Sequence, residues 1–197
     1  MKKLRMLCPL LGFALTPAPA AAHLVSSGLG PAYDGIIHVA LTPAEILAVA
    51  VLALFAGRRG PADARLVLFV LPAAWLAAAM IGAAPAAKLQ GLLASLSLLL
   101  VGGLLAADAV VPRAITAGMA ILVGVLHGWA DGASMVGASR PAMLLGAATA
   151  IFSLIALLAS FSVSLRRPWV LVAIRVAGSW TAAFGILLIG WSLRALH

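Results

Sequence analysis

Six long apolar stretches, 36–57, 62–84, 89–107, 114–130, 142–165 and 169–193, follow one another along the chain with short polar breaks between them. A hydrocarbon core about 30 Å thick needs about 20 apolar residues of helix to cross it. Each stretch is near that length, so the pattern predicts an all-α fold, a polytopic membrane bundle of about six transmembrane helices. The first stretch is interrupted at Leu41-Thr42-Pro43-Ala44-Glu45. Thr42 has the character of an N-cap, Pro43 suits a first helical position, and Glu45 stands three residues after Thr42, where a capping box places its acid. A helix is expected to restart there. The piece before it, 34–41, then reads as a short helical or re-entrant segment packed at one membrane face, because lipid tolerates no open irregular backbone.

The amino terminus has a different pattern. Lys2, Lys3 and Arg5 precede a short apolar stretch from Met6 to Leu15, and Ala20, Ala21 and Ala22 supply small residues of the kind a signal peptidase accepts. The stretch is too short to span, and Pro17 and Pro19 end it. Residues 1–22 are therefore read as a signal peptide cleaved after Ala22, and 23–197 as one transmembrane helical domain. Cleavage would remove Cys8, the only cysteine, leaving neither a disulfide nor a thiolate metal site. It would also make His23 the first residue, with a free amine beside its imidazole.

Composition agrees with lipid as the solvent: 64% of the 197 residues are hydrophobic and 9% charged, far from a soluble domain. The formal charge of +8 does not indicate nucleic acid, since the basic residues are scattered in ones and twos between apolar runs. They read as topology instead. With the mature N-terminus in the periplasm, the cytoplasmic loops carry Arg58, Arg59, Arg65, Arg113, Arg166 and Arg167, and the periplasmic side only Lys88, Arg140 and Arg194. Six against three follows the positive-inside rule and gives a multi-pass protein of the bacterial inner membrane. Trp169 and Trp191 bracket the last run, as headgroup-seeking rings or as ordinary helix packing. Gly124, Gly128 and Gly132 recur every fourth position, Gly91 with Ser95 and Gly178 with Ala182 repeat the spacing, and such stripes let helix backbones approach closely.

Few ionisable groups remain, and each is costly at membrane depth unless it has a partner or a purpose. His127 and Asp131 lie four apart, on one helical face beside the glycine stripe. Asp34 and His38 share that spacing, also toward the periplasmic side. These four nitrogen and oxygen donors can converge, and imidazole with carboxylate but no thiolate suits borderline divalent ions such as nickel, cobalt and zinc. His23 would add its amine and imidazole. The metal-site candidates are thus His23, Asp34, His38, His127 and Asp131, with Glu45 assigned to the capping box rather than to the path inward. Asp108 is expected to pair with Arg175 or Arg113 on the cytoplasmic side.

Several segments resemble the HupE/UreJ family: Ala22-His23, Gly-Pro-Ala-Tyr-Asp-Gly-Ile-Ile-His at 30–38, Leu-Thr-Pro-Ala-Glu at 41–45, His-Gly-Trp-Ala-Asp-Gly at 127–132 and Gly-Ser-Trp-Thr-Ala-Ala-Phe-Gly at 178–185. The resemblance covers essentially the whole mature chain. It implies nickel or cobalt supply to hydrogenase or urease, with metal permeation rather than an enzymatic reaction as the activity. The chain departs from the family pattern in two places. Pro31 and Ile37 stand where the pattern His-Pro-x-x-Gly-x-Asp-His has its first His and its Asp, and Asp131 stands where His-Gly-x-Ala-His-Gly has its second His. It therefore looks like a divergent branch.

These readings lead to a nickel or cobalt permease-like protein, with the ion as transported substrate and no tightly bound cofactor. A non-transporting accessory or scaffold subunit for hydrogenase or urease maturation is the alternative. A membrane enzyme ranks last, for want of a nucleophile or a His-Glu-x-x-His helix, and no nucleotide-binding loop indicates ATP coupling. The expected partners are the bilayer and a divalent cation; a homo-oligomer stays open.

Overall fold

Prolines and glycines punctuate the chain where the apolar runs end, and the helices begin and stop there. The computed structural model describes residues 27–82, 87–164 and 167–194. The proposed cleavage site, Cys8, His23 and Arg166 lie outside the described residues. Within them the chain forms α1 (Pro31–Ala40), α2 (Pro43–Arg59), α3 (Pro61–Ile81), α4 (Ala87–Ala106), α5 (Arg113–Ser134), α6 (Arg140–Ser164) and α7 (Pro168–Arg194), with no strand. The last five are long and apolar enough to cross a membrane; α1 and α2 make a sixth crossing only as one span bent by 77°. The chain is a multi-pass membrane protein.

The bend falls at Leu41 and Thr42, where Pro43 opens α2 because a proline can neither donate to the preceding turn nor fit within it. The capping box is not formed. Thr42 Oγ1 donates back to the His38 carbonyl at 2.8 Å, and no side chain caps α2. Glu45 instead turns inward and is fully buried.

Without a hydrophobic drive between helices in lipid, close backbone contact holds the bundle. Gly124, Gly128 and Gly132 of α5 lie directly against Leu71, Trp75 and Ala79 of α3, with no room for a side chain. Gly102, Gly178 and Gly185 serve the α4–α7 pair in the same way, and Gly35 with Gly146 brings α1 against α6. Helix α2 occupies the centre: every residue from Val51 to Gly57 is buried, as expected of a helix surrounded by others. The outer helices turn Leu157, Trp180 and Leu187 outward. Trp169 and Trp191 are exposed at the two ends of α7, which favours the headgroup reading over helix packing.

The ion pairs differ from expectation. Asp108 accepts from Arg58 at 2.9 and 3.0 Å, bringing the end of α2 to the turn after α4. Arg113 takes Asp63 at 3.1 Å, and Arg175 donates to the Ala106 carbonyl at 2.9 Å. The reason is helix order: α2 packs beside α4, so Arg58 in its last turn reaches Asp108, while Asp63 opens α3 beside the start of α5.

Candidate cation site

Breaking the first span places two polar residues side by side that a straight helix would separate by two turns. His38 lies in the last turn of α1 and Glu45 in the first turn of α2. Asp131 reaches them from the last turns of α5, which the glycine stripe holds against α3. One ligand atom from each of His38, Glu45 and Asp131 falls within 4.8 Å of the other two. His38 Nε2 is 2.9 Å from Asp131 Oδ1, and Trp75 Nε1 of α3 donates to Asp131 Oδ2 at 3.0 Å. The indole bond fixes the carboxylate and leaves its other oxygen facing the imidazole, the arrangement by which outer partners orient metal ligands.

Burial makes the cluster unusual. Glu45 is 0% exposed, and neither of its carboxylate oxygens has a hydrogen-bond partner. Asp131 is 5% exposed. Two acids in an apolar bundle cost several kcal/mol of solvation apiece if ionised, and one imidazole with one indole N–H offsets only part of it. A divalent cation would neutralise both carboxylates while taking the lone pair of a neutral imidazole. The spacing comes close to this. With metal–ligand bonds of about 2.1 Å, neighbouring ligand atoms stand roughly 3–3.5 Å apart and opposed ones roughly 4.2 Å, so donors up to 4.8 Å apart draw together to share an ion. The three donors are hard and borderline, with no sulfur, a set that suits a first-row divalent ion. The His38 side chain is 20% exposed against 7% for Asp131, so the imidazole forms the outward side of the cluster.

Of the residues singled out from sequence, His38 and Asp131 meet. Asp34 stands apart: its Oδ1 accepts from the Ser27 N–H and from Ser27 Oγ, each at 2.6 Å, tying the first turn of α1 to the segment before it. His127 is buried one turn before Asp131, with Nε2 unpartnered, and does not join the three converging ligands. Glu45 and Trp75 are the participants that sequence reasoning missed. Glu45 had a signal, an acid inside an apolar run seven residues after a histidine, but a local capping explanation absorbed it. Trp75 had none, since an indole in an apolar stretch looks like any lipid-facing or core residue.

No curated protein and no solved structure matches the chain. A family model does, described as HupE / UreJ protein, over residues 11–188.

Proposed function

The chain belongs to the HupE/UreJ family of membrane accessory and permease-like proteins, and from that premise we propose that it carries nickel or cobalt ions across the bacterial inner membrane through a site made by His38, Glu45 and Asp131. The observation that supports this most directly is Glu45: a fully buried carboxylate with two unpartnered oxygens, beside a second acid and an imidazole. An ionised carboxylate at that depth calls for donors or a cation, and a cation shared with Asp131 and His38 is the match on this reading.

On this reading the ion arrives from the periplasmic side at His38, which binds it in the neutral form because a protonated imidazole has no lone pair to give. Asp131, held by Trp75, supplies one oxygen, and Glu45 draws the ion inward from the mouth. Loading would exchange the 2.9 Å His38–Asp131 hydrogen bond for coordination. His127, one turn further in along the same face, lies next on the path. Asp34 belongs to the outer approach rather than to the buried cluster, and His23 is kept as the proposed capture ligand.

The test is uptake of radiolabelled nickel and cobalt in a bacterial strain lacking its own importers, with membrane levels of each variant checked by immunoblot. His38→Ala, Glu45→Gln and Asp131→Asn should each lower uptake by about tenfold or more at equal protein, in keeping with the loss of one charged or imidazole ligand. Uptake that survives all three substitutions would reject the site. If the unsubstituted protein moved no ion while hydrogenase or urease still required it, the accessory role would stand instead.

A further inference from the structure

Between α3 and α6 the outer surface holds two adjoining hollows of about 320 and 310 Å³ that share Leu76 and Leu145 as walls. The first opens at Arg140, and the second continues past Leu145 to Phe152. Arg140 and Phe152 are twelve residues apart on α6, as are Met80 and Leu68 on α3, so the two hollows run roughly 18 Å along the helices at 1.5 Å per residue. One leaflet of hydrocarbon is about 15 Å deep, half of the bilayer core. The groove therefore has the length of a single acyl chain reaching from headgroup level to the mid-plane.

Its head is cationic. Arg140 is the first residue of α6, where the helix dipole also favours an anion. Its guanidinium is held in place by the Ala79 carbonyl at 2.6 Å and the Met80 carbonyl at 3.3 Å. Carbonyls orient the group but leave its charge unbalanced. No carboxylate pairs with it among the described residues, and its Nε is buried without a partner. By contrast, Arg58, Arg59 and Arg113 at the opposite end of the bundle all stand beside an aspartate.

We propose that the α3–α6 groove binds one anionic phospholipid, with its phosphate on Arg140 and an acyl chain lying along Leu76, Leu145 and Phe152. A zwitterionic lipid fills the apolar part equally well but brings its own cation to the head. A free phosphate satisfies Arg140 but leaves the groove empty. The joint requirement for charge and chain selects an anionic lipid over both. The site is separate from the cation cluster, and its occupancy does not depend on whether the protein transports metal.

Native mass spectrometry of the full-length protein in detergent tests this, with phosphatidylglycerol, phosphatidylcholine of the same chains, and glycerophosphoglycerol without chains as the three titrants. Phosphatidylglycerol is expected to bind about tenfold or more tighter than either of the others, the scale of one charge-assisted hydrogen-bonding site. Arg140→Gln should reduce it to the phosphatidylcholine level. Because Arg140 also ties α6 to the end of α3, Leu145→Trp provides the second arm: Leu145 is 60% exposed, so a larger ring fills the groove without entering the core. That variant should lose phosphatidylglycerol with Arg140 intact. Equal binding of the two lipids, equal binding of the bare headgroup, or full phosphatidylglycerol binding by Leu145→Trp would each overturn the proposal.

Discussion

Replacing Gly128 by alanine tests whether backbone packing sets the geometry of the cation site. A Cβ there would lie against the Trp75 carbonyl oxygen, 2.8 Å from its carbonyl carbon and 2.9 Å from Trp75 Cα. Non-bonded carbon atoms rest at about 3.5 Å or more, so α3 and α5 must part by at least about 0.7 Å. The Trp75 indole rides on that backbone. Its 3.0 Å bond to Asp131 then lengthens to about 3.7 Å, beyond hydrogen-bond range. Overpacking of this kind costs about 1–3 kcal/mol, and a lost hydrogen bond to a buried carboxylate about 1.5–3 kcal/mol more. Thermal unfolding in detergent should show the combined loss. Cobalt titration calorimetry should show an affinity lower by about ten- to a hundredfold, as when an outer partner of a metal ligand is removed. Gly118 on the same helix is the control, because nothing lies within 4 Å of where its Cβ would be. Gly118→Ala is expected to be neutral or up to about 1 kcal/mol stabilising, from helix propensity alone. If the two variants melted alike, the close α3–α5 contact would be refuted. If Gly128→Ala lost stability but kept its cobalt affinity, the link from packing to site would be refuted.

Four further substitutions have outcomes set by the structure. Trp75→Phe keeps most of the packing volume but removes the N–H donated to Asp131, so cobalt affinity in calorimetry should fall by about tenfold or more while the bundle still assembles on gel filtration. Glu45→Gln should separate stability from function: exchanging the buried carboxyl for a neutral amide of the same shape should leave the metal-free melting stability unchanged or raised by up to about 1 kcal/mol, whereas cobalt affinity drops at least about tenfold, and a fall in both would mark Glu45 as structural. Asp63→Asn should cost about 1–3 kcal/mol on thermal unfolding because that aspartate is 8% exposed and faces Arg113 and Arg59. Asp108→Asn, whose side chain is 42% exposed, should cost under about 1 kcal/mol.

The membrane bundle was legible in the chain itself, because a bilayer imposes a length on every crossing and the apolar runs have that length whatever they pack against. The break at Pro43 was equally legible, since proline excludes a continuous helix through its own covalent geometry. So was the use of the Gly124, Gly128 and Gly132 stripe, whose four-residue period puts all three on one face. The site was only partly so. His38 and Asp131 drew notice as costly polar residues in apolar surroundings, a property each residue carries alone. Which of them would touch is a matter of helix order and of the 77° turn between α1 and α2, and neither is written in local spacing. The same holds for Glu45, whose neighbours in sequence offered a capping role and whose neighbours in space are an imidazole and a second acid. Asp108 found Arg58, fifty residues away, because α2 lies against α4. Periodicity and chain chemistry act over a turn or two of helix; ligands that come from three separate helices are brought together only when the bundle closes.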